Sequence, residues 1–163
     1  MLHRVGTFLL CLLVASGALH ELRAQATGTD QHTVTIRVRQ INVLSVGNEV
    51  TVAMKEAQAG EDANTQTASS TVSVTTNSTS PQKISAALDA DYSDGMVLRA
   101  KLDAPDSGAS IGFQTLSAQE TDLVTGVTAT AASNLRLTYE ASVSPQVEPN
   151  SYPRRVTYTI LEE

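Results

Sequence analysis

Tryptophan is absent from this chain, phenylalanine occurs twice, and cysteine once. That cysteine, Cys11, sits in the middle of an apolar N-terminal run, residues 5–19, and the bulky Phe8-Leu9-Leu10 before it is unlike a lipid-acylation site. No disulfide within the chain and no cysteine-based metal site follow from a single thiol. Histidine is almost as scarce. His3 and His20 lie in the N-terminal segment, which leaves His32 as the one histidine of the remaining chain. Nucleophilic catalysis by Ser, Thr or Cys needs a base beside the nucleophile. No G-x-S-x-G turn and no H-E-x-x-H helix occurs. The expectation is a protein that is not an enzyme and uses no cofactor.

Positive charge is also short, with 11 basic residues against 17 acidic. Nucleic acids and anionic membranes are held by basic footprints, so neither is expected as a partner. The acidic residues are scattered rather than run together, which describes a solvated surface.

What the chain does have begins at its N-terminus. His3 and Arg4 precede the apolar run, which closes on Ala24-Gln25-Ala26, an A-x-A pattern of the kind that a signal peptidase cuts. This is the layout of a secretory signal over residues 1–26, with an apolar core too short to span a membrane. Cleavage should leave an N-terminus at Gln25 or Thr27 and no membrane span. Removal of Arg4, Arg23 and Glu21 leaves nine basic and sixteen acidic residues, a net charge of −7. Residues 27–163 suffice for one domain that buries roughly two-thirds of its extended surface. The expected location is outside the cytoplasm: periplasm, cell surface or medium.

Most apolar stretches after the signal alternate with period two, the mark of half-buried strands. Val34, Ile36 and Val38 alternate with Thr33, Thr35, Arg37 and Arg39. The phase slips near Gln40 and resumes at Ile41 and Val43, as a β-bulge would allow. Gly47-Asn48 reads as a hairpin turn with glycine at positive φ, returning through Val50, Val52 and Met54. Residues 57–69 read as a long polar loop. Strands are expected at 71–76, at 83–89, and over Met96, Leu98, Ala100 and Leu102. Weaker ones follow at 111–116 and 122–128. The last two run through Leu135, Leu137, Tyr139, Ala141 and Val143, and through Val156, Tyr158 and Ile160.

About nine short strands with turn signals between them, and no convincing helix beyond the cleaved N-terminal signal helix, indicate an all-β antiparallel sandwich of immunoglobulin-like architecture. A closed barrel is the alternative. The Thr-rich, charged outer faces do not form the lipid-facing band of a transmembrane barrel. The fragments HTVTIRVRQINVLSV, STVSVTTN, KISAALD, LVTGV, LRLTYEASV and RRVTYTI, in this order, resemble small exported β-sandwich proteins of Gram-negative envelopes. That resemblance implies a sandwich fold and an envelope or secreted location, and assigns no functional residue. A looser likeness is to surface pilin and adhesin domains.

Two sets of residues carry candidate chemistry. Asp89, Asp91 and Asp94, with Ser93 between them and Gly95 after, offer oxygen ligands for a hard cation such as calcium. The spacing is one residue longer than the opening of an EF-hand loop, and the same residues suit a polar turn between strands. Tyr92 and Tyr152 are candidate sugar- or small-ligand-binding aromatics, with Arg154 and Arg155 close to Tyr152. Asn77-Ser78-Thr79 matches the N-glycosylation acceptor and also reads as a turn. The leading functional expectation is a structural or adhesive protein whose partners are other envelope proteins or further copies of itself. A module that binds carbohydrate or a small ligand through loops at one end is the alternative.

Overall fold

The computed structural model describes residues 30–54, 60 and 64–163. Backbone contacts divide the chain into Met1–Ile36 and Arg37–Glu163. The expected signal segment lies outside the described residues. Of the first unit only residues 30–36 are described, and they form no helix or strand. The second unit contains nine strands and, among the described residues, no helix: β1 (Asn42–Val46), β2 (Asn64–Thr76), β3 (Gln82–Leu88), β4 (Met96–Leu102), β5 (Ala109–Ser110), β6 (Gln114–Thr115), β7 (Thr121–Val127), β8 (Thr130–Val143) and β9 (Val156–Glu162).

They form two antiparallel sheets, of order β1-β2-β8-β4-β6 and β5-β7-β3-β9. The inward residues of both meet in one core. Val72, Val74, Leu98, Ala100, Leu102 and Leu137 come from the first sheet; Ile84, Ala86, Leu88, Leu123, Val124 and Val127 come from the second. Two sheets that bury facing apolar rows against each other make a β-sandwich. Strands β3, β4 and β8 are those whose alternation is cleanest in the sequence, and each buries the expected face.

Irregularities in two ladders fit the sandwich together. The β2–β8 ladder shifts between Val72 and Val74, from Val72↔Leu135 to Val74↔Ala132, which puts an additional residue on β8. Asn134 lies in that stretch at φ 58°, a left-handed conformation that asparagine tolerates better than most residues. In β7 the ladder passes from Ile84↔Val124 to Ser85↔Asp122. The skipped residue lets consecutive Leu123 and Val124 both be buried, which strict alternation forbids.

The N-terminal third departs from the sequence reading. Val34, Ile36 and Val38 are exposed and lie in no strand. Ile41 and Val43 are exposed too, and Leu44 is the β1 residue that packs on the core, so the inward phase is opposite to the expected one. A five-residue edge strand holds too few apolar side chains for pattern alone to fix its phase. Gly47 makes no positive-φ hairpin. Its N–H donates to the Thr71 carbonyl at 2.8 Å, and a Cβ there would meet Ser70 Oγ at 2.9 Å. β1 therefore pairs with β2, and residues 50–54 form no strand. β2 begins at Asn64, inside the expected loop, because its polar N-terminal half is ordered by a long ladder to β8. Residues 55–59 and 61–63 of that loop lie outside the described residues. Of the expected strand at 111–116 only Gln114–Thr115 forms, as β6 of the first sheet; β5, just ahead of that range at Ala109–Ser110, belongs to the second.

Tyr139 of β8 and Tyr158 of β9 point inward from opposite sheets, as expected, and their hydroxyls meet at 2.6 Å. Burial raises both above the ordinary tyrosine range, and the neighbouring phenol raises Tyr158 further. A raised folded pKa means that the unfolded chain loses these protons first. Their contribution to stability is thus complete below the unfolded value, about pH 10, and is lost as pH rises above it. Chemical unfolding measured from pH 8 upward should show stability falling in the alkaline range, and falling less steeply in Tyr158→Phe.

Candidate functional site

The two candidate sets named from the sequence come together at one end of the sandwich. The β3–β4 loop, residues 89–95, is tied to the β8–β9 loop, residues 144–155. Asp89 N–H donates to the Arg155 carbonyl at 2.9 Å, and Arg155 N–H returns to Asp89 Oδ1 at 3.2 Å. Ser144 N–H donates to the Gly95 carbonyl at 2.7 Å. Gly95 is required twice: its φ is 87°, and a Cβ would sit 3.0 Å from Val147 Cγ2.

The carboxylates do not gather. Asp89 accepts from Arg155, Asp91 Oδ1 accepts the Ala118 N–H at 2.6 Å, and Asp94 is exposed beside Tyr152. Among the described residues, no three acidic, histidine or cysteine side chains are arranged to hold a metal ion. Carboxylates that cap backbone N–H groups of separate loops act as loop ties. The melting temperature should therefore be the same with calcium as after chelation. A rise of many degrees, abolished by Asp91→Ala and not reproduced by magnesium, would show that the loop rearranges into a site.

Tyr92 and Tyr152 occupy different settings. The Arg154 guanidinium lies over the Tyr92 ring, 5.1 Å from its centroid, and donates to the Ala90 carbonyl at 3.1 Å and the Asp91 carbonyl at 3.1 Å. Burial raises the Tyr92 hydroxyl above its ordinary range, with Arg154 opposing and Asp89 adding to the rise. One face of Tyr92 is thus occupied by a fixed cation. Tyr152 donates to the Glu148 carbonyl at 2.7 Å and, with Ser93, Asp94, Met96 and Gln146, lines an open cleft of about 230 Å³. This open cleft has both polar and apolar lining side chains and is framed by two cross-tied loops.

Sequence reasoning did not anticipate Arg154 as the clamp of the 89–95 loop, although its nearness to Tyr152 was visible. It also missed a wider open groove of about 520 Å³ lined by Asn48, Glu49, Ser70, Asn134 and Arg136. That groove exists because β1 and β8 run alongside β2, which no local pattern announces. Phe113, another aromatic outside the core strands, lies under Arg99 at 5.3 Å, and Arg99 also pairs with Glu140 at 2.8 Å. His32 is exposed. Comparison of the chain with protein-family models, with curated proteins and with solved structures gives no match.

Proposed function

We propose that this chain is an exported, non-enzymatic structural or adhesive protein of the cell envelope or exterior, an immunoglobulin-like sandwich that works by contact with other proteins. The observation that carries this reading is the apolar row ahead of β1. Val34, Ile36 and Val38 are 73%, 84% and 75% exposed, and Ile41 and Val43 beyond them are 44% and 54% exposed. Large apolar side chains left in solvent at short intervals along a chain are ones that another molecule can cover. The secretory pattern at residues 1–26 and the resemblance to small envelope sandwiches agree with it. Sedimentation velocity over a wide concentration range, with electron microscopy of the same samples, tests the reading. Association that grows with concentration is expected, and a monomer at every concentration would refute it.

The loop-end cleft favours a second reading, a module for carbohydrate or a small ligand. Tyr152 presents a partly buried ring there, next to exposed Asp94 and Gln146. Binding on a glycan array that disappears in Tyr152→Ala would select this reading over the first.

A further inference from the structure

Among the described residues, the core is only partly covered along one side of the sandwich. β9 is the outer strand of its sheet, with β3 on one side and no strand among the described residues on the other. Val156, Tyr158 and Ile160 of β9 point at the core, yet each is only partly buried. Leu44 of β1, on the approaching edge of the other sheet, is also only partly buried. An edge with free backbone groups and half-covered apolar side chains is a template for an added strand.

Residues 33–39 have the pattern that this edge lacks. They are seven residues long, as β9 is, and Val34, Ile36 and Val38 repeat at the same two-residue interval as Val156, Tyr158 and Ile160. Building on the self-association proposed above, we propose that residues 33–39 of one molecule add as a parallel strand to β9 of a second copy. Val34, Ile36 and Val38 then face the second copy's core at the levels of Val156, Tyr158 and Ile160. Charge selects the direction. Arg37 and Arg39 stand at the C-terminal end of the segment, while β9 starts after Arg154 and Arg155 and ends at Glu162, with Glu163 following. In this register parallel addition sets Arg39 opposite Leu161 and one same-face step from Glu163, whereas antiparallel addition sets Arg39 directly opposite Arg155, like charge against like.

A second copy suits the donor segment better than its own β9 does. Asn77 fixes the chain where it leads into β1: its Oδ1 accepts the Ile41 N–H at 2.7 Å, and its Nδ2 donates to the Arg39 carbonyl at 2.7 Å. The Asn77 N–H also donates to the Ile41 carbonyl at 3.2 Å, which continues the Asn42↔Thr76 register by one step. The chain is therefore held beside the end of β2 as far back as Arg39. Residues 33–40 contain no Gly, Pro, Asn or Asp at which to reverse. Donor and acceptor are different surfaces, so each molecule gives one strand and receives one, and the contact propagates head to tail.

The test uses the chain purified as its cells deliver it. Ile36→Asp changes an exposed side chain, so the melting temperature of the dilute protein should be unaltered. Its association should weaken by roughly tenfold to a hundredfold. Mixing Thr35→Cys with Thr157→Cys, each unable to cross-link in this register alone, should give a disulfide-linked pair. Association of Ile36→Asp as strong as that of the parent would overturn strand addition while leaving association through another face standing. A parent that is monomeric throughout would remove both. A Thr35–Thr157 disulfide formed within single chains of the double variant at high dilution would also overturn the exchange between copies.

Discussion

Leu137→Ala should lower the free energy of unfolding by about 2–5 kcal/mol, read as a shift of the denaturant midpoint at unchanged slope. Leu137 is fully buried in β8, the central strand of the five-stranded sheet, which pairs with β2 on one side and β4 on the other. Its neighbours are held by ladders on both flanks and have little freedom to close over the lost volume. That rigidity places the cost in the upper part of the range. Leu98 shares the apolar face and lies on β4, yet it is 9% exposed. Leu98→Ala should therefore cost less than Leu137→Ala, since some of the vacated space opens toward solvent. Equal losses at the two positions would mean that β8 yields as easily as the strand beside it.

The second large effect concerns a polar side chain. Gln82 is fully buried at the start of β3, and its amide joins segments remote in sequence. Its Oε1 accepts from Asn42 Nδ2 at 3.1 Å. Its Nε2 donates to Ser78 Oγ at 3.2 Å and to the Ser80 and Pro81 carbonyls at 3.3 Å each. Asn42 accepts in turn from Thr76 Oγ1 at 2.7 Å, and that hydroxyl oxygen accepts the Ser78 N–H at 3.0 Å. Gln82→Leu keeps most of the volume but strands the Asn42 amide, the Ser78 hydroxyl and the two carbonyls. Each group that finds no water costs about 1–3 kcal/mol, so a loss of at least that size is expected. Hydrogen exchange should rise at residues 77–82 and at the start of β1 more than at β8. A uniform change would show that the network stabilises the whole domain rather than this corner.

Gln82 also shows where sequence reading stops. In the amino-acid string it is one more polar residue in a Ser- and Thr-rich turn. Only the arrival of Asn42 and Ser78 around it makes it a buried junction. The same holds at the loop end: Asp89, Asp91, Asp94, Tyr92 and Tyr152 were recognisable as the residues with chemistry to offer. Which of them face a common space depended on Arg154 and Ala118 reaching in from other connections.

The sequence by itself determined the all-β class and the inward faces of the long strands. Val72 and Val74, the Ile84 to Leu88 row, the Leu98 to Leu102 row, and Leu137 with Tyr139 could be placed from alternation alone. In each, several apolar side chains repeat at period two, and a slip of one residue would expose the whole row. The tertiary structure decided what short or mixed segments do. It set the phase of β1, where five residues carry too little pattern to outweigh the ladder with β2. It extended β2 into polar residues 64–69, because backbone pairing with β8 does not depend on side-chain polarity. It also decided that residues 33–39, among the best-patterned in the chain, form no strand in this molecule. Alternation reports the capacity to be half-buried, whereas burial requires a partner edge, and a chain's own sequence does not say whose edge that is.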